Sequence, residues 1–119
     1  MINKSEIKKQ YKQILTPMGI YQLKNLINGK ILIGSSKNLP ARKNRFEMEL
    51  SFETFTDKEL LKDLKQFGKE NFLFEVLDRL EPKEDPSYNY TEDLKTLEEL
   101  WIDKLQPFNE KGYNKLPRK

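Results

Sequence analysis

The chain of 119 residues has neither histidine nor cysteine. Without cysteine there is no disulfide, no thiolate zinc site and no sulfur nucleophile. Without histidine there is no Ser-His-Asp triad, no imidazole metal ligand and no imidazole acid or base. Any chemistry must run on Tyr, Lys, Arg, Asp, Glu, Ser or Thr. No apolar run approaches the length of a membrane span, and the lysine-rich start lacks the apolar core of a signal peptide. A single-domain, intracellular protein that is not secreted is the expectation. Acidic residues are nearly missing from the first 45 positions, which hold ten Lys/Arg against Glu6 alone, while the rest of the chain holds twelve basic and eighteen acidic side chains. A basic first third is the electrostatic footprint of a protein that meets a polyanion such as nucleic acid. The plainer alternative is a set of lysines that only solvate ordinary helices.

The most informative stretch is residues 19–34, Gly-Ile-Tyr-Gln-Leu-Lys-Asn-Leu-Ile-Asn-Gly-Lys-Ile-Leu-Ile-Gly. It predicts two strands, about 20–26 and 30–34, joined at Asn28-Gly29, because Asn-Gly between alternating apolar residues favours a type I′ hairpin turn. A two-residue loop would set Ile27 against Lys30, Leu26 against Ile31 and Asn25 against Leu32. Tyr21, Leu23, Asn25 and Leu32 would then share one face, and Ile20, Leu26, Ile31 and Ile33 the other.

Upstream, residues 4–15 predict an amphipathic helix with Ile7, Tyr11, Ile14 and Leu15 at helical spacing, ended by Thr16-Pro17. Downstream, Asn38 and Pro40 open a helix over about 39–50 with Leu39, Phe46 and Leu50 as its apolar stripe and Arg42 at the stripe's edge. Thr56-Asp57-Lys58-Glu59 reads as a capping box for a helix over about 57–67, stopped by Gly68. Residues 71–80 predict a third strand, and 81–90 a loop. Thr91 should cap a last helix over about 92–105, closed by Pro107. In that helix Leu94, Leu97, Trp101, Ile102 and Leu105 form the apolar stripe, and Glu98 falls within it while Glu99 points away. A carboxylate on an apolar stripe is costly unless paired, hydrogen-bonded or bound to a metal. A Glu–Arg or Glu–Lys pair at the core edge would also explain it.

The ordered set of Gly19-Ile20-Tyr21, Asn28-Gly29-Lys30, Ile33-Gly34, Ser36-Lys37-Asn38-Leu39 leading to Arg42, Gly68 before Asn71-Phe72, Leu97-Glu98-Glu99-Leu100-Trp101-Ile102 and Gly112-Tyr113-Asn114 resembles the GIY-YIG nuclease family. The match runs from Gly19 to Asn114. The resemblance implies an α+β fold, with a small three-stranded antiparallel sheet flanked by helices and here an extra N-terminal helix over 1–18 and a basic tail over 115–119. It also implies a stand-alone endonuclease that hydrolyses DNA phosphodiesters with one Mg²⁺ or Mn²⁺ and no nucleotide cofactor. By the same resemblance Glu98 would ligate the metal, Arg42 would hold the scissile phosphate, Tyr21 would orient or deprotonate the attacking water, and Asn114 would support the site. Lys30, Lys37, Lys43 and Arg45 are the nucleic-acid-binding candidates. Two positions depart from the family: the second motif's tyrosine is Leu32, and the His or Tyr one turn after the arginine is Phe46. Lys30 or Lys37 could stand in for the lost groups. The alternative is a weakened relative that binds DNA or a protein partner. A restriction-type carboxylate-plus-lysine nuclease rests on Glu81-Pro82-Lys83 alone. Oligomeric state and substrate preference stay open at this point.

Overall fold

Side-chain alternation puts Tyr21 and Leu23 on one face of the central strand and Ile20 and Gln22 on the other, and helices cover both. The computed structural model describes residues 17–85 and 87–115. The expected helix over 4–15 and the tail beyond Lys115 lie outside the described residues. Strand β1 (Met18–Asn25) lies between β2 (Ile31–Ser36) and β3 (Phe72–Leu80), antiparallel to both. Helices α1 (Leu39–Phe52) and α2 (Lys58–Phe67) separate β2 from β3, and α3 (Thr91–Leu105) follows β3. The architecture is thus the expected α+β one. Among the described residues no helix is long and apolar enough to cross a membrane.

The main core lies on the Tyr21 face, where Leu23, Leu39, Phe46, Leu60 and Phe72 are buried together. Tyr21 stacks on Phe74 at 5.1 Å, and Phe46 sits 6.0 Å from the same ring. On the opposite face Ile20, Ile33 and Leu94 are buried, and Trp101 Nε1 of α3 donates to Asp78 across from Ile20. Gly19 permits β3 to approach, since a Cβ there would collide with the Asp78 carbonyl. The β1–β3 register shifts between Ile20 and Tyr21, so Leu77 bulges from the ladder.

The hairpin differs from the two-residue loop expected above. Leu23 pairs with Leu32, and Tyr21 with Gly34, a shift of two residues. The cause is Asn25, whose side chain accepts from the Ile27 N–H while its carbonyl accepts from Gly29. This Asx-type turn closes a longer loop across Asn25 and Lys30 and leaves Leu26 exposed outside the strand. An even shift keeps every side chain on its face, so Tyr21, Leu23 and Leu32 still share one surface.

Two caps also move. Asp57, not Thr56, caps α2 by accepting from the Leu60 N–H. Helix α3 starts at Thr91 itself, with Tyr90 at the cap position and no side-chain cap bond there. Asn38 and Gly68 end their helices as expected.

A polar knot ties the hairpin to the C-terminal segment. The Tyr113 hydroxyl donates to Asp63 of α2 at 2.7 Å and accepts from the Asn25 side chain at 3.1 Å. Burial, then the Asp63 carboxylate, pushes the Tyr113 pKa upward, so the hydroxyl stays a donor across the physiological range. Tyr113→Phe leaves a buried Asn25 amide and Asp63 short of a partner, and should cost about 1–3 kcal/mol in denaturant unfolding. An unchanged midpoint would show that the knot carries no stability.

A candidate active site at the sheet edge

The site forms because β2 is an edge strand whose outward backbone groups must be satisfied. Three residues face outward in turn. Ile31 N–H donates to the Lys111 carbonyl and its own carbonyl accepts from Tyr113 N–H. Ile33 does the same with one side chain: Asn114 Oδ1 accepts from Ile33 N–H at 2.8 Å, and Asn114 Nδ2 donates to Ile33 O at 3.0 Å. Next along the edge, the Ser35 N–H lies close enough to the Glu98 carboxylate to favour its charged form. Asn114 and Glu98 therefore stand beside consecutive outward positions, about 7 Å apart along the strand. Gly112 is needed for this seam, because any Cβ there would strike the Ile31 and Pro107 carbonyls.

Gly34 lies between those two positions and faces Tyr21 across the ladder. A Cβ on Gly34 would fall 2.6 Å from Tyr21 Cζ, so the bare backbone makes room for the phenol. The Tyr21 hydroxyl accepts from Arg42 Nε at 3.1 Å, and the guanidinium also lies 5.2 Å from the ring centroid. Arg42 Nη1 in turn donates to Glu49 at 2.8 Å. Burial by itself would lower the Arg42 pKa, but the bonds to Tyr21 and Glu49 outweigh it and hold the pKa above the ordinary value.

Glu98 reaches the edge from α3. It is half-buried, and among the described residues no lysine or arginine pairs with it. Burial raises its carboxyl pKa, the neighbouring Glu99 charge adds to the rise, and the Ser35 N–H opposes it. The core-edge ion pair considered from sequence is thus not formed. Among the described residues no group of three or more acidic side chains is placed to hold a metal ion together. A cation here would rest on Glu98 together with water and substrate oxygens, which fits Mg²⁺, an ion that retains most of its hydration and takes one or two carboxylates.

Neither the protein-family models nor the curated proteins gave a match. Among solved structures, the chain resembles the catalytic domain of the homing endonuclease I-TevI at 25% identity and a TM-score of 0.66, over 82% of this chain and 96% of that one. A point mutant of the catalytic domain of intron endonuclease I-TevI gives 26% identity and a TM-score of 0.65, over 83% and 93%. The domain is GIY-YIG-like.

Within this GIY-YIG-like domain, Tyr21, Arg42, Glu98 and Asn114 are all held around Gly34 and its two neighbours on β2. Leu32 shares the Tyr21 face but sits directly across from Leu23 and packs against the core. Phe46 is only 2% exposed and is part of the aromatic core. The basic candidates are more dispersed. Lys30 lies at the far end of β2, 3.7 Å from Glu59 and over the Tyr113 ring. Lys37 is exposed just past β2, and Lys43 and Arg45 are exposed on α1. Lys43 lines a shallow groove with Pro17, Leu39, Phe74 and Arg79. Glu49 is a site residue that the sequence reading missed. Its spacing of seven from Arg42 puts both on one helix face, which was the available signal.

Proposed function

We propose that the chain is a divalent-metal-dependent DNA endonuclease of GIY-YIG type that hydrolyses phosphodiester bonds. One observation carries the reading: Glu98, a half-buried carboxylate without a cationic partner among the described residues, and the pair Tyr21 and Arg42 flank the same glycine on an edge strand. The likeness to endonuclease catalytic domains supports it. When bound at Glu98, Mg²⁺ or Mn²⁺ supplies Lewis-acid stabilisation of negative charge on the phosphate. Arg42 supplies a fixed cation for the same developing charge. The Tyr21 oxygen already accepts from Arg42, which leaves its own O–H and its remaining lone pair for a water that it would orient or deprotonate as the nucleophile. Asn114 keeps the β2 edge in register and so holds the site together.

Leu32 and Phe46 favour a second reading, a weakened relative that binds DNA without cutting it. Both side chains belong to the apolar packing and neither can move a proton.

Supercoiled plasmid, nicked duplex and branched DNA incubated with Mg²⁺, with Mn²⁺ and with EDTA separate the two readings. The expected result is nicking or linearisation that needs the metal. Retarded mobility of DNA without any cut would select the second reading instead. DNA affinity should fall roughly a hundredfold between about 50 and 200 mM salt if three or four cations meet phosphates. A flat salt profile would remove the basic first third from the interface.

A further inference from the structure

Glu49 is not among the residues that the family resemblance assigns. It lies seven positions after Arg42, about 10 Å along the helix axis, so both side chains must extend toward each other to make a 2.8 Å contact. Neither is a surface ion pair: the side chains are 21% and 14% exposed. A charge-assisted bond in that setting fixes geometry more firmly than an exposed pair does. The guanidinium has five N–H donors. Nε is engaged by Tyr21 and Nη1 by Glu49. Nη2 has no hydrogen-bond partner among the described residues. Two anchors on one planar group fix its position and its plane, and the third nitrogen is left to point at a ligand.

We propose that Glu49 is a positioning residue, whose carboxylate holds the Arg42 guanidinium on the Tyr21 hydroxyl so that Nη2 is presented to the substrate phosphate. The phosphate part rests on the nuclease reading above; the holding of Arg42 on Tyr21 does not. Without the carboxylate, an arginine stem with several free rotors has one anchor left, and the phenol loses its fixed donor. A competing arrangement is also open to a carboxylate beside an arginine: Glu49 could occupy the phosphate's place and be displaced by it. The two differ in sign, because removing a competitor speeds cleavage and tightens binding.

The test has two arms on the full chain, with Glu49→Ala, Glu49→Gln and Glu49→Asp. In the first, the Arg42 Nε–H resonance is followed by ¹H–¹⁵N NMR and assigned by its loss in Arg42→Lys. It should be sharp in the unsubstituted protein and in Glu49→Gln, whose amide oxygen still accepts from Nη1. It should broaden or vanish in Glu49→Ala and in Glu49→Asp, where the charge stays but the reach is short. In the second arm, single-turnover cleavage at saturating DNA should fall about a hundredfold in Glu49→Ala, as expected for a misplaced catalytic group, with the Kd for DNA changed less than about threefold. Glu49→Gln should recover most of the rate. An unchanged Arg42 resonance in Glu49→Ala and Glu49→Asp, or a faster cut in either, overturns the proposal. If the unsubstituted protein cuts nothing, the nuclease reading fails by itself, and the resonance still decides whether Glu49 holds Arg42. Should Glu49→Ala not fold, the comparison of Glu49→Asp with Glu49→Gln decides in its place.

Discussion

Glu98→Gln should abolish metal-dependent cleavage and at the same time raise the melting temperature of the folded domain at neutral pH. The first effect follows from chemistry: an amide keeps the shape of the side chain, but it cannot bind a hard cation as a carboxylate does. Loss of at least about a thousandfold is the scale for removing the group that anchors such charge stabilisation. The second effect follows from the raised carboxyl pKa, caused by burial first and by Glu99 next. Between the unfolded pKa and the higher folded one, the folded state binds more protons than the unfolded state. Stability therefore falls as pH rises through that interval and remains lower above it. A neutral glutamine escapes this penalty, so its advantage is full at pH 8 and shrinks on acidification. Melting curves of both proteins at pH 8 and pH 4, beside plasmid cleavage, check the pair of effects. A glutamine variant that melts lower would mean that the carboxylate holds structure. One that still cuts would remove Glu98 from the site. Cleavage by the unsubstituted protein should also decline on acidification, because the protonated acid cannot hold a cation.

The second large effect is expected at Gly34→Ala. The added methyl would stand 2.6 Å from Tyr21 Cζ and closer still to the hydroxyl, and Tyr21 is buried with its ring stacked on Phe74. The phenol cannot retreat without opening the Phe74–Phe46 packing behind it. Overpacking of this kind costs about 1–3 kcal/mol, and a displacement near 1 Å of the Tyr21 hydroxyl should reduce cleavage about a hundredfold. Tyr21→Phe provides the contrast. It removes the bond to Arg42 but keeps the ring, so activity should fall while the Phe74–Phe46 packing stays intact. If Gly34→Ala melts and cuts like the unsubstituted protein, the ring has room that the geometry does not show.

Much of this was readable from residue order. Glu98 stood out because a charged residue interrupts an apolar stripe, and the helix duly turns it toward the sheet edge. Side-chain alternation puts Tyr21 and Leu32 on one face, and they stay there because the observed register differs from the expected one by two residues rather than one. That difference has a local cause. Asn28-Gly29 marks where the chain reverses, but loop length depends on Asn25 folding its side chain back onto Ile27, and strand periodicity carries no trace of that bond. The cap at Asp57 in place of Thr56 is a similar one-residue competition between two good capping side chains. Glu49 is hidden differently: its spacing of seven puts it on the Arg42 face, but α1 also carries Glu47, and Glu53 follows it, so residue order narrows the choice without naming the carboxylate that the guanidinium reaches.

The seam along β2 has a consequence outside catalysis. A row of open amides and carbonyls on an outer strand is a template on which a foreign chain can add itself. Here Lys111, Tyr113 and Asn114 occupy that row at Ile31 and Ile33, and Glu98 stands beside Ser35. The same groups that would assemble the catalytic centre also close the β2 rim to strand addition, so substitutions that open this seam should promote association through it.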